Sequence, residues 1–323
     1  NISEMSQRVI NASNKSGIGL TLLPVLYEQS GVKGGNLISG QDRFGLKLCE
    51  FNKLIEEVSS LENKKGDFHI GVAAHSLRAV KKISLKELSK NFLNYPTHIH
   101  VAEQMKEVSE IYSAWSKRPI EWMVENLDLN EKWCLIHCTQ MHDYEAKLLA
   151  KSGAVIGLCP ITEANLGDGI FNGRNWLKEG GKFGIGTDSN VKISLFEELR
   201  TLEYSQRLKY KSRIVLKKAN KYTIGRSLIE SVLEGGMLAS GRKTGKIQKG
   251  YWADILALDL TSFDYLDLND NEKLDYLIFS EKDVVIDSVF SAGRLLVKNG
   301  KHINKKKIIT NYKLALHEIL KKL

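Results

Sequence analysis

Apolar residues along this chain fall into short unbroken runs, and between the runs they recur at helical spacing. The runs are Gly17–Leu26, Phe68–Ala74, Thr97–Ala102, Trp133–Cys138, Ala154–Cys159 and Phe183–Asp188. Each has the length and near-continuous hydrophobicity of a strand buried on both faces of a parallel sheet. Between and before them, Met5–Asn14, Leu46–Leu61, Leu85–Phe92, Gln104–Trp115, Pro119–Leu127, His142–Lys151 and Asn175–Lys178 read as helices. Ser84 is the expected N-cap of the Leu85–Phe92 helix, with Glu87 completing a capping box. Six strands alternating with helices predict βα units, hence an α/β fold built as a parallel barrel or an open sheet.

The pattern changes after Asp188. Leu195–Leu208 and Tyr222–Leu238 are long amphipathic helices, followed by β segments at Ala253–Leu260, Val284–Ala292 and Arg294–Val297. Asn299-Gly300 is a two-residue hairpin signal, and a final helix is expected over Ile308–Leu323. These readings divide the chain into a barrel over 1–240, a small β domain over 241–303 and a terminal helix over 304–323.

Composition narrows the function without naming it. The 323 residues are 42% hydrophobic, enough for a large core, and 47 Lys and Arg against 38 Asp and Glu give a net charge of +9. The basic residues are scattered, apart from Lys305-Lys306-Lys307, and lack interleaved aromatics, so no nucleic-acid partner is expected. No apolar run approaches the roughly 18 residues of a membrane span, and no membrane partner is expected. Cys49, Cys134, Cys138 and Cys159 form no metal or redox motif and read as buried, reduced thiols of a cytoplasmic protein. The chain opens on Asn1 within what reads as a helix, which suggests an excerpt of a longer protein.

Chemistry gathers where strands end, the place at which a βα barrel carries its function. The second strand ends in His75-Ser76-Leu77-Arg78, the third in His100 and Glu103, the fourth in His137, the fifth near Glu163 and Asn165, and the sixth in Thr187-Asp188. Alone, each residue has an ordinary explanation. His98 and His100 on one face of a strand can be hydrogen-bonded core residues, and so can His137; Asp188 can cap the next helix, and Arg78 can pair on the surface. Together they describe one geometry: imidazole of His100 and carboxylate of Asp188 as ligands of Zn²⁺ or a similar ion, Glu103 moving a proton from an activated water to a leaving nitrogen, and His137 holding or polarising the reacting group. The implied chemistry is metal-assisted hydrolysis.

Six segments carry a family resemblance: Gly17–Glu28, Val72–Lys81, His98–Met105, Leu135–Gln140, Leu158–Ile170 and Gly184–Lys192. In these the chain resembles the amidohydrolase superfamily and, within it, the formimidoylglutamate deiminases. The resemblance implies a (β/α)8 TIM-like barrel with a small β domain and zinc-dependent hydrolysis of N-formimino-L-glutamate to N-formyl-L-glutamate and ammonia, in histidine degradation, by a homodimeric enzyme. It further implies that His100 and Asp188 bind one zinc, that Glu103, His137 and Asp188 are catalytic, and that Arg78 and His75 meet the substrate's carboxylates. By the same pattern the first strand here corresponds to the family's third. Two barrel strands, a His-x-His supplying two more zinc ligands and roughly a hundred residues are therefore expected upstream, with weak zinc binding by the chain alone. Another zinc amidohydrolase acting on a cyclic amidine, or a relic that binds without turnover, are the alternatives.

Overall fold

In a computed structural model of the protein, residues 2–61, 67–218, 222–261, 265, 267–280 and 286–322 are described. The expected strand start at Val284 and helix end at Leu323 lie outside them. Helix α1 (Glu4–Ser16) leads to β1 (Leu20–Leu22), β2 (Val25–Leu26), α2 (Ser39–Asp42) and α3 (Leu48–Ser59). Then come β3 (Phe68–Ile70), β4 (Val72–Ser76), α4 (Lys82–Asn91), β5 (Thr97–Val101), α5 (Met105–Trp115), α6 (Pro119–Asn126) and β6 (Trp133–His137). They are followed by α7 (Asp143–Ala150), β7 (Val155–Leu158), α8 (Pro160–Leu166), α9 (Gly173–Lys178) and β8 (Lys182–Ile185). The chain continues through α10 (Leu195–Tyr210), α11 (Ile224–Ser240), β9 (Ile255–Leu258), α12 (Asp270–Phe279), β10 (Ile286–Ser291), β11 (Arg294–Lys298), β12 (Lys301–His302) and α13 (Lys305–Leu320).

A six-stranded sheet in the order β2-β4-β5-β6-β7-β8 is parallel throughout. Sequential parallel neighbours joined by helices are the arrangement of a TIM-like barrel. The runs predicted as strands follow from double burial: every residue of β7 is buried, as are all but one of β4 and of β6. Helix α11 lies directly against β8 because position 235 is glycine; a Cβ there would stand 1.9 Å from the Phe183 carbonyl oxygen. A second, antiparallel sheet has the order β12-β11-β10-β9. Its β11–β12 turn is the expected hairpin, with Asn299 and Gly300 at φ 50° and 68°.

Two expected strands are each divided. The run ending at Leu26 is cut at Leu23-Pro24 into β1 and β2, and the run through Ala74 is cut at Gly71 into β3 and β4. β1 pairs with β3 in a separate two-stranded sheet, whereas β2 and β4 join the barrel sheet. Pro24 has no amide hydrogen to donate, and Gly71 lies where a Cβ would be 2.5 Å from the Pro96 carbonyl, so both runs change partner at their weakest position. Ser84 is not a cap. Helix α4 begins earlier, and the buried Ser84 hydroxyl donates to Glu28 Oε1 at 3.0 Å. Cys134, Cys138 and Cys159 are buried thiols, but Cys49 is exposed near the start of α3.

Three helices, α2, α8 and α12, went unforeseen. The short α8 follows β7 directly, its start at Pro160 hidden in an apolar run. Helix α12, capped by Asn269, packs on the barrel helices through Tyr204 against Phe279 (centroids 5.7 Å) and the Gly225 amide donating to Asp275 Oδ1 at 2.5 Å.

Candidate active site

Parallel register brings four aromatic and imidazole rings into one row across neighbouring strands. Ser76 stands opposite His100, and Val101 opposite His137, so His75, His100 and His137 finish three adjacent strands at nearly the same height. Ring centroids run from Tyr27 to His75 at 4.6 Å, from His75 to His100 at 5.2 Å and from His100 to His137 at 5.8 Å, the last pair stacked. Glu103 sits on the loop after β5, with Oε1 3.8 Å from His137 Nε2. On the other side of the same ring, Glu163 Oε1 is 3.2 Å from Nδ1. Asp188 follows β8 closely enough that its charge acts on His137.

The backbone at these strand ends is left-handed without glycine. Ala102, His137, Cys138 and Asp188 have φ of 51°, 72°, 51° and 43°. Such angles are unfavourable for these residue types and persist where surrounding bonds impose them. Glu107, 1% exposed, imposes one of them by accepting the Ala102 and Glu103 amides, each at 3.1 Å. Gln140 holds the same loop through its donation to the Glu103 carbonyl at 3.2 Å. Thr162 latches the Asp188 turn, accepting the Ser189 amide at 3.4 Å and donating to the Thr187 carbonyl at 3.3 Å.

Each imidazole has a distinct electrostatic setting. Burial, then the neighbouring His100 and Arg78, push the His75 pKa down to about 4, so this ring is neutral at pH 7. Burial likewise lowers His98, whose Nε2–H donates to the Ala239 carbonyl at 2.8 Å. His98 is thus the hydrogen-bonded core residue of the pair, and His100 is the one facing the row. For His137, burial opposes protonation, but the Glu163 hydrogen bond and the charges of Glu103, Glu163 and Asp188 outweigh it and raise the pKa. Arg78 lies beside His75 and the buried Glu107. Its Nε is buried and has no hydrogen-bond partner among the described residues, which leaves a donor in place for an anionic ligand. The alternative for Asp188 fails, since Ser194 caps α10 by accepting from the Glu197 amide at 3.4 Å.

The donors present suit a zinc ion in part. His100 Nδ1–H donates to the His75 carbonyl at 2.7 Å, which leaves the Nε2 lone pair free, the usual support for a metal-binding imidazole. With the Asp188 carboxylate this supplies two positions of a tetrahedral set. Among the described residues no group of three His, Cys, Asp or Glu side chains is placed to hold an ion.

All six residues singled out by sequence, His75, Arg78, His100, Glu103, His137 and Asp188, fall in this region, whereas Asn165 is exposed on α8. Sequence reasoning gave no role to Glu107, Glu163, Thr162 or Tyr27. Glu107 in the first turn of α5 looks like an ordinary helix-start carboxylate, Glu163 stands on the unforeseen α8, and only the fold reveals that both are buried.

A model of the amidohydrolase family matches residues 6–296. The formimidoylglutamate deiminase of Pseudomonas aeruginosa is 39% identical over 320 residues, covering 98% of this chain and 70% of that protein. A 5-methylthioadenosine/S-adenosylhomocysteine deaminase of Clostridium tetani is 29% identical over 266 residues, covering 80% of this chain and 60% of that one. Among solved structures, an amidohydrolase from Brucella melitensis superposes with a TM-score of 0.94 at 42% identity, over 98% of this chain and 70% of the other. An adenosine deaminase from Xanthomonas campestris with bound zinc has a TM-score of 0.79 at 19% identity, over 96% of this chain and 68% of the other, a likeness of fold alone.

Proposed function

Because the chain belongs to the amidohydrolase family, we propose that its strand-end site hydrolyses a C–N bond, converting N-formimino-L-glutamate to N-formyl-L-glutamate and ammonia, with one zinc ion as cofactor. The reading rests above all on Arg78: a buried guanidinium nitrogen without a hydrogen-bond partner among the described residues, beside a neutral His75, at one end of a row whose other end holds Glu103 and His137. A dicarboxylate substrate needs such a cation, and a guanidinium fork meets a carboxylate in two hydrogen bonds. An adenine nucleoside without a carboxylate has no use for it.

The chain's own residues divide the work. Arg78 and His75 hold the glutamate end, so that the formimino carbon lies before Glu103 and His137. His100 and Asp188 would hold the zinc, which when bound supplies the Lewis acidity that makes water nucleophilic at neutral pH. As the water oxygen bonds to the formimino carbon, Glu103 takes one of its protons and passes it to the terminal nitrogen. Asp188 takes the remaining hydroxyl proton as the carbonyl forms; that proton goes to the same nitrogen, whose bond to carbon breaks to release ammonia. His137 Nε2, next to Glu103, donates or accepts at the reacting oxygen.

Ammonia release from formiminoglutamate in the presence of zinc tests the proposal, with formiminoglutamate binding measured by calorimetry. Arg78→Lys keeps the charge but loses the fork and is expected to lower kcat/KM by about tenfold or more, since a charge-assisted contact is worth roughly 2 kcal/mol. Near-normal efficiency of that variant would remove Arg78 from the substrate site. Binding without turnover would favour a non-catalytic relic, and release of ammonia from an adenine nucleoside instead would favour the cyclic-amidine reading.

A further inference from the structure

Glu163 has no part in the steps above, yet it is a buried carboxylate aimed at one of their participants. It is 4% exposed, and its Oε1 accepts the Cys159 amide at 2.9 Å while standing 3.2 Å from His137 Nδ1. An ionised carboxylate only accepts, so the hydrogen in the second contact belongs to Nδ1. The ring it meets is 1% exposed and hangs from a left-handed residue, φ 72°, where the strand's pleat no longer dictates the side chain's direction. Nε2 faces the opposite way, 3.8 Å from Glu103 Oε1.

We propose that Glu163 is the positioning residue that fixes His137 as its Nδ1–H tautomer, leaving the Nε2 lone pair directed at the reacting centre. Without Glu163, two influences would place the hydrogen on Nε2 instead: the intrinsic preference of a neutral histidine side chain, and the acceptor oxygen of Glu103 on that side. The ring would then present a donor to Glu103, and the proposed proton carrier would be occupied by its own neighbour. A partner that sets the tautomer of a working imidazole is the role given to orienting groups in metal and catalytic sites generally. A purely structural role, capping α8 through the Cys159 amide, predicts no effect on the His137 ring.

The kinetic part of this inference depends on the deiminase reading, but the tautomer does not. Histidine-selective ¹⁵N labelling of the protein, observed without metal or substrate at a pH where the ring is neutral, reports which nitrogen carries hydrogen; comparison with His137→Asn assigns the signal. The expected wild-type spectrum has a protonated Nδ1 and an unprotonated Nε2. Glu163→Gln retains an acceptor oxygen and should keep that pattern, with kcat within about fivefold of wild type. Glu163→Ala should move the hydrogen to Nε2 and lower kcat roughly 10- to 100-fold at nearly constant KM. A wild-type ring protonated on Nε2, or a Glu163→Ala ring unchanged from wild type, overturns the proposal. Should Glu163→Ala fail to fold, the wild-type and Glu163→Gln spectra still decide it. Absence of ammonia from the wild-type protein would count against the deiminase reading while leaving the tautomer result intact.

Discussion

The parallel barrel sheet and the antiparallel sheet that follows it in the chain treat their side chains in opposite ways. β7 is buried at every position, whereas β9 has no buried residue and β11 one. Helix α13 likewise has no buried residue, though Ile308, Ile309, Tyr312 and Leu316 share a helical face. The contrast changes what a polar side chain means in each region. In the antiparallel sheet a charge is solvated and says nothing about function. Around the barrel's strand ends Glu107, His137 and Glu163 are at most 4% exposed, and on the outer helix α10 Glu198 is fully buried; all have lost water's stabilisation. Such groups persist only where partners or a function hold them.

The largest expected effect lies in chemistry confined to the barrel. Glu103→Gln preserves size and the packing of the loop that Glu107 braces, but removes the group proposed to carry the proton. Turnover should fall by a factor of about 10² to 10⁴ while substrate binding persists. Steady-state ammonia release together with calorimetric binding checks this. Turnover near wild type would end the role assigned to Glu103.

Packing should show the same asymmetry. Ile99 in β5 is 1% exposed, and Ile99→Ala should cost about 2–5 kcal/mol through lost burial and the cavity left behind. Leu256 in β9 is 44% exposed, and Leu256→Ala should cost under roughly 1 kcal/mol. Urea unfolding of both variants, with m-values compared, measures the difference. Equal losses would mean that the antiparallel sheet carries more of the stability than its exposure suggests.

This asymmetry also explains what could be read in advance. The barrel strands were legible because double burial writes a continuous apolar run, and the candidate site could be proposed because polar residues interrupt that run at its end, as at His75, His100 and Asp188. Division of the first two runs was not, since Pro24 and Gly71 break them by exchanging neighbours that only the folded chain supplies. Helix α12 was hidden for a related reason: its packing partners Tyr204 and Gly225 lie far away in sequence, and Asn269 as a cap resembles any loop asparagine. Glu107 was missed, and Glu163 was noted at its strand end without a role, because burial of such a carboxylate is decided by the strand end beneath it. Their own neighbours in sequence do not record it.

The smallest effect, and the finest test of the contrast, is a pH dependence of stability. Glu198 is fully buried; Oε2 accepts the Ile161 amide at 2.8 Å, and Oε1 has no partner among the described residues. Burial first, and the charge of Glu163 in addition, raise its pKa to about 7, although the Ile161 hydrogen bond acts in the other direction. A carboxyl group whose pKa is raised on folding holds its proton more tightly in the folded state. Its contribution to stability is therefore complete below the ordinary carboxylate range and is lost as pH rises through about 7. Glu198→Gln has nothing to ionise and should remove this part of the slope, shifting the thermal midpoint at pH 8 relative to pH 5 upward by about 1–2 °C compared with wild type. Glu318, 65% exposed on α13, is the control, and Glu318→Gln should leave the wild-type slope unchanged. Calorimetric midpoints for the three proteins at both pH values give the answer. A Glu198→Gln slope equal to wild type would show that Glu198 is not held protonated by burial, and that desolvation at the barrel's outer helices is weaker than at its strand ends.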